Sequence, residues 1–172
     1  VRYREDLSLL TQTNADQYPW GIDGCSLPAP ALPMGDVARA MAKLTSSKTI
    51  SDSKFDAINR LCSAIAEKPE YFWGTKAPCT ELAQITRGRL IAKIGAEGYM
   101  AVIVRDKGLG ISIKVSDGSR RAVIVALFGV LKKLGLLRPQ EQNALQHHIK
   151  TPLTNTKGKI VGGLQPSLET FV

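Results

Sequence analysis

The stretch LIAKIGAEGYMAVIVRDKGLGISIKV, residues 90–115, contains three short apolar runs separated by two short segments that carry glycine. Runs of this length, rich in β-branched residues and bounded by glycine turns, are typical of strands joined by tight connections. The pattern predicts strands over 90–94, 99–104 and 110–115 in an antiparallel meander. Residues 99–104 are apolar throughout, so we expect this strand at the centre of the sheet with both faces covered.

The segments on either side of the meander have helical periodicity. Downstream, residues 120–134 repeat apolar side chains at three- and four-residue spacing, and Gly135 supplies a C-cap signal. The same criteria predict further helices over 35–44, 53–68, 79–86 and 139–148, a loop over 70–78 and a final strand near 159–163. The sequence therefore predicts an α+β fold with layered helices and strands, in which helices flank an antiparallel sheet.

Length and composition fit a single domain over residues 1–172, because 172 residues with 44% hydrophobic residues can form one core. No apolar run approaches the roughly 18 residues of a membrane span, and the first residues lack an apolar signal core, so no membrane partner is expected. Cys25, Cys62 and Cys79 are odd in number and lack the spacing of a metal site. We therefore expect a reducing compartment, the cytoplasm.

The charge of the chain is strongly positive, with a formal net charge of +8 and a pI of about 9.6. Such a charge alone raises nucleic acid as a partner. The basic residues are dispersed, however, and the few aromatic residues are not interleaved with them as stacking platforms would be. We therefore expect no nucleic-acid partner.

A loop rich in glycine and proline occupies residues 20–30, between two ordinary segments. Gly21 and Gly24 give the backbone freedom, whereas Pro28 and Pro30 hold the exit of the loop extended. Asp23 and Cys25 lie two residues apart, so an extended segment would point both side chains to the same side.

The run WGIDGCSLPAPALP, residues 20–33, resembles the W-G-x-D-G-C-x-L-P-x-P-x-x-P signature of the L-asparaginase II family, thermolabile enzymes with a serine-β-lactamase-like fold. Residues 93–96 (KIGA) are similar to the K-x-G-A segment of that family, and residues 108–114 (GLGISIK) resemble its A-L-G-I-S-x-K strand. The resemblance spans nearly the whole chain but only about the C-terminal half of the family's length. Because the chain also starts without Met, we expect it to be the C-terminal portion of the fold, with the Ser-x-x-Lys tandem of the family upstream.

The resemblance implies a homodimeric amidohydrolase that converts L-asparagine to L-aspartate and ammonia.

 In the family's reaction, a serine activated by a lysine attacks the amide, ammonia leaves, and water releases the acyl-enzyme. Lys93 is implied to act as the base or electrostatic helper, paired with a serine upstream. The residue pattern alone, without the resemblance, favours a solvated lysine at the end of a strand.

The same resemblance assigns roles to the 20–30 loop. Asp23 matches the aspartate that orients the site and the substrate amine, and Cys25 matches one ligand of a zinc ion that the family binds through two cysteines and a lysine. We expect Lys93 to face a cleft beside both. Taken alone, the residues also fit a loop in which Asp23 caps a turn and Cys25 is buried. A single cysteine cannot hold zinc, so this chain by itself is expected to bind none tightly.

Four other residues with reactive side chains have structural interpretations. Adjacent residues on a helix point about 100° apart, so His147 and His148 are not expected to share one site easily and are assigned to the helix dipole. Cys62 lies in the apolar stripe of the 53–68 helix and is expected in the core. Cys79 is also taken as structural, although a thiol at a helix N-terminus would have a lowered pKa.

A second function of a different class stays open at this point. The chain can be a catalytically inactive, truncated or pseudoenzyme half that binds a partner through an exposed sheet face. An upstream Ser-x-x-Lys motif would favour the enzyme over this binding module.

Overall fold

The structure of the protein, a computed structural model, describes residues 2–46, 48 and 50–167. The helices of this part are α1 (Arg2–Thr11), α2 (Met34–Lys43), α3 (Asp52–Glu67), α4 (Pro69–Trp73), α5 (Pro78–Ile85), α6 (Arg120–Lys133), α7 (Pro139–Ala144) and α8 (Gln146–Ile149). The strands are β1 (Trp20–Ile22), β2 (Pro28–Pro30), β3 (Leu90–Gly95), β4 (Tyr99–Val104), β5 (Leu109–Lys114), β6 (Thr151–Thr154) and β7 (Ile160–Leu164).

The predicted meander is confirmed: β3, β4 and β5 form one antiparallel sheet with β4 in the middle. The third strand begins and ends one residue earlier than expected. The register places Lys93 opposite Ala101, and Ala101 opposite Ser112, so these three residues form one row across the sheet. Opposed residues share a face of a sheet, so this row lies on one side of it.

The main hydrophobic core lies on the other face of the sheet, where α5 and α6 pack. Apolar residues that alternate along the strands meet Leu127 and Phe128 of α6 there, and both of these side chains are fully buried. The predicted helix over 120–134 therefore exists and covers the sheet as expected, and the α+β fold class is confirmed.

Helix α2 covers the face that carries Lys93, and it lies directly on β5. A Cβ atom built on Gly110 would lie 1.9 Å from the carbonyl oxygen of Ala38, so only glycine permits this approach. In α2, Asp36 accepts hydrogen bonds from Tyr18 Oη (2.7 Å) and Arg39 Nη1 (2.6 Å), and these donors hold the pKa of its carboxyl below the ordinary value. Helices thus lie on both faces of the sheet.

Several local expectations need correction. Residues 70–78 are not all loop, because Pro69 occupies the first position of the short helix α4. The helix begun by Pro139 is interrupted at Leu145, which separates α7 from α8. The final strand predicted near 159–163 is confirmed as β7, which pairs with β6 in a separate hairpin.

A buried ion pair links Arg89, which directly precedes β3, to Glu141 in α7. Arg89 Nη2 donates to Glu141 Oε2 (2.6 Å) and to the carbonyl oxygen of Leu136 (2.9 Å). The side chains of Arg89 and Glu141 are only 12% and 8% exposed. Glu141 Oε2 also accepts the backbone N–H of Arg138, which caps α7. One carboxylate therefore holds both the guanidinium and a helix N-terminus.

Within the described residues, none of the helices combines the length with the apolar character that crossing a membrane would require.

Candidate functional site

Lys93 lies near the end of β3, an edge strand of the central sheet. Its Nζ donates to the carbonyl oxygen of Ile94 (2.9 Å) and lies 4.5 Å from the ring centroid of Trp73 and 5.9 Å from that of Phe72. Arg120 approaches the ring of Trp73 as well, at 5.4 Å. The half-buried aromatic side chains of α4 therefore hold the ammonium group of Lys93 through cation–π contacts.

Two hydroxyl groups share the sheet face of Lys93. Ser112 lies two strands away in the same row, and its Oγ donates to Tyr99 Oη at 3.2 Å. Both side chains are half-buried. Sequence reasoning did not select either residue, because a lone serine or tyrosine in a strand carries no motif. The alternation of side chains along each strand is the signal that would have placed them beside Lys93.

The 20–30 loop is a hairpin, and its turn is built around Asp23. Asp23 Oδ1 accepts the backbone N–H groups of Cys25 (2.8 Å) and Leu27 (3.0 Å), and Ser26 has a positive φ of 63°. The segment between the two glycines is therefore a turn and not the extended segment considered above. Asp23 does cap a turn, but Cys25 is exposed and not buried.

The structure does not join Lys93 to this turn. Among the residues described, no hydrogen bond, ion pair or ring contact connects Lys93 with Asp23 or Cys25. Asp23 Oδ2 accepts no hydrogen bond there either, so one oxygen of this exposed carboxylate is available to a ligand. The cleft shared by the three residues stays a prediction.

The fit of zinc to Cys25 can be judged from the donors around it. A zinc site requires three or four protein ligands, and in the described part of the chain Cys25 belongs to no cluster of three or more Cys, His, Asp or Glu side chains. Cys62 and Cys79 are both buried in the core. These residues therefore do not form by themselves the zinc site that the resemblance implies.

Cys79 is the second residue of α5, yet its thiol is not activated. Burial raises its pKa to about 11, and the nearby cations Lys93 and Arg120 offset this only in part. Its Sγ contacts Met100 Sδ at 3.9 Å within the core. Desolvation thus changes the pKa of the Cys79 thiol more than the helix N-terminus does. A structural role for Cys79 therefore fits better than a role as a reactive thiol.

Both histidine side chains contact Glu81, which lies in the first turn of α5. Its Oε2 lies 3.0 Å from His147 Nε2 and 2.8 Å from His148 Nε2. The two imidazole rings are 4.0 Å apart and tilted by 41°. The expectation that the adjacent histidines would not share a site is wrong, because rotation of the side chains on the single-turn helix α8 brings both rings to one oxygen.

The surroundings of this cluster shift the pKa values of Glu81 and His148. Burial lowers the pKa of His148, and the hydrogen bond to Glu81 opposes this effect. Burial acts to raise the pKa of Glu81, but the hydrogen bonds from both imidazoles outweigh it and the pKa is lowered. At neutral pH the cluster is therefore an ionised carboxylate facing imidazoles, of which His148 favours the neutral form.

A family model described as L-asparaginase II matches residues 1–166. A search of curated proteins gives no match.

Proposed function

The chain belongs to the L-asparaginase II family, and from this premise we propose that it contributes to hydrolysis of the side-chain amide of L-asparagine, giving L-aspartate and ammonia. Family membership supports an amidohydrolase of asparaginase type acting on a small molecule. The family match over residues 1–166 carries the proposal. The nucleophilic serine of the family motif is expected outside these 172 residues, so the proposal concerns what this part of the site supplies.

Lys93 is proposed to take the proton of the attacking hydroxyl or to stabilise the charge that develops on the amide oxygen. Both roles need a cation at a fixed position, because electrostatic stabilisation requires groups that are already oriented. The pairing of β3 with β4 fixes the backbone of Lys93, and the rings of Phe72 and Trp73 restrict its side chain. These restraints distinguish Lys93 from a freely solvated lysine.

Asp23 is proposed to bind the α-ammonium group of the substrate. Its Oδ1 is occupied by two backbone N–H groups, which orient the carboxylate, while Oδ2 is left to accept hydrogen bonds from a cation. A carboxylate held in this way loses little conformational freedom when it binds an ammonium group.

Zinc at Cys25 is part of the proposal only if donors outside the described residues complete the site. The thiol of Cys25 is exposed, whereas Cys62 and Cys79 are buried. No step of the reaction proposed here passes through zinc. The serine-β-lactamase-like organisation, the homodimer and the cytoplasmic location are proposals from the same resemblance, and three free cysteines fit a reducing compartment.

Lys93→Met tests the role of the lysine in the protein that contains this chain. Removal of one base or charge-stabilising group typically lowers the rate by about 10²–10⁴-fold, so we expect a loss of that size in ammonia release from asparagine. Lys133→Met, at the exposed end of α6, removes the same charge and serves as the control. Turnover of Lys93→Met within about threefold of the control, less than 1 kcal/mol in the barrier, would contradict the assignment.

The binding-module alternative makes a different prediction in this assay. A folded wild-type protein that releases no ammonia from asparagine would favour it. In the described part of the chain, α2 packs on one face of the sheet and α5 and α6 pack on the other. Exposed apolar side chains of the described residues occur on both hairpins (Ile22, Leu27, Ile160 and Val161) and also on helices (Leu61 and Tyr71).

A further inference from the structure

We propose that Glu81, His147 and His148 form a binding site for one divalent transition-metal ion of the Zn²⁺ class. The site is separate from Cys25 and Lys93, and the inference does not rest on the proposed function. It departs from the expectation that this chain by itself binds no zinc tightly, because that expectation considered Cys25 as the only ligand. It is the one group of three or more potential metal-binding side chains found among the described residues.

The distances between the three ligand atoms suit a metal ion. Both Nε2 atoms lie within 3.0 Å of Glu81 Oε2. One potential ligand atom from each of the three residues lies within 4.8 Å of the other two. Zinc bonds to His nitrogen and carboxylate oxygen are about 2.0–2.2 Å long, which separates neighbouring ligand atoms by roughly 2.9–3.4 Å at octahedral to tetrahedral angles. Small rotations of the side chains would therefore convert the hydrogen-bonded cluster into a coordination site.

The chemistry of the donors selects the class of ion. Two imidazoles and one carboxylate suit zinc and its first-row neighbours, whereas Ca²⁺ and Mg²⁺ prefer sets made of oxygen ligands. Three protein ligands leave at least one position for water. His147, whose side chain is 57% exposed, leaves the cluster accessible from solvent.

The core holds two of the three ligands in place. The ring of His148 stacks on the buried ring of Phe128 at 4.7 Å and 12°, and its side chain is only 13% exposed. Glu81 is fixed by α5, in which its neighbours Thr80 and Leu82 are fully buried. A rigid imidazole and a rigid carboxylate reduce the conformational entropy that metal binding must overcome.

The alternative is that the cluster only ties α8 to α5 by hydrogen bonds. Two imidazole N–H groups donating to one carboxylate oxygen would satisfy the same distances. A metal ion replaces the protons on both Nε2 atoms, so the two states differ at these nitrogens. The experiment must therefore observe the rings themselves.

The test uses the full chain with Cys25→Ser, which removes the exposed thiol as a competing donor. Zn²⁺ alone is titrated by calorimetry, and the imidazole nitrogens are followed by NMR; the chain contains only two histidines, so each signal is assignable. We expect one Zn²⁺ per chain, a shift of both Nε2 signals, and a higher melting temperature in the presence of Zn²⁺.

Variants of two ligands complete the test. Changing even an outer partner of a metal site costs about 10–100-fold in affinity, so we expect Glu81→Gln and His147→Gln each to weaken Zn²⁺ binding by at least about tenfold. Glu67→Gln changes the charge equally at an exposed position and should bind like the parent. Circular dichroism verifies folding, and the exposed His147→Gln carries the comparison if Glu81→Gln does not fold.

Three results would overturn the proposal. They are the absence of stoichiometric Zn²⁺ binding, binding that leaves both imidazole signals unmoved, and binding by the ligand variants that equals binding by Glu67→Gln. Each of them would identify the three side chains as a hydrogen-bonded cluster only.

Discussion

Glu141→Leu is expected to be one of the most destabilising substitutions in this chain. It leaves the buried guanidinium of Arg89 without its main partner, and loss of one partner of a buried ion pair costs about 3–5 kcal/mol. The remaining contacts to Asp106 (3.4 Å) and to the carbonyl oxygen of Leu136 favour the lower end of that range. Loss of the cap on the N–H of Arg138 adds about 1 kcal/mol. We therefore expect a loss of about 4 kcal/mol in the free energy of unfolding.

The double variant Arg89→Met/Glu141→Leu distinguishes the energetic cost of the unpaired guanidinium from the cost of the lost helix cap. Apolar replacement of both partners of a buried pair is often close to neutral, so we expect the double variant to be at least about 2 kcal/mol more stable than Glu141→Leu. Urea unfolding, followed by circular dichroism, measures both values. As a control, Asp16→Asn breaks the exposed pair with Arg4 and should cost about 0.5 kcal/mol or less. A loss under about 1 kcal/mol for Glu141→Leu, or a double variant no more stable than the single one, would refute this reasoning.

Three further predictions follow from burial, charge and packing. At pH 8, iodoacetamide should modify exposed Cys25 rapidly and Cys79 only after unfolding, because burial raises the pKa of Cys79 to about 11; equal rates would contradict this. The lowered pKa of Asp36 contributes stability that is present above the ordinary carboxyl pKa and is lost as pH falls through the lowered value. Asp36→Asn should therefore lower the melting temperature near pH 6, and the difference from wild type should shrink towards pH 2; a constant difference would argue against it. Gly110→Ala should cost about 1–3 kcal/mol or more, because its Cβ would collide with the main chain of α2, whereas Gly21→Ala, with nothing within 4 Å, should be close to neutral in urea unfolding.

Local patterns in the sequence were sufficient to predict the central sheet. Alternating apolar side chains and short glycine connections act over a few residues, so residues 90–115 predict both the strands and their antiparallel order. The helix over 120–134 follows for the same reason, since its apolar repeat is contained within the helix. The family match likewise agrees with motifs that lie within single segments, including the 20–33 run.

Other features required knowledge of what packs against each residue. Cys79 combines a helix N-terminus, which lowers a thiol pKa, with burial, which raises it, and only the packing of α5 in the core shows that burial is the larger effect. The turn at Asp23 was likewise undecided, because the same glycines and prolines permit an extended segment or a capped hairpin.

The sequence by itself determined the strand order of the meander, the helix that covers it and the segments that resemble the family. Only the tertiary structure brought Glu81 to His147 and His148, which are 66 and 67 residues away along the chain. No local periodicity relates positions so far apart. Their contact depends on α5 and α8 packing against the same core, where the ring of Phe128 orients His148, and such long-range packing is set by the shapes of many side chains together.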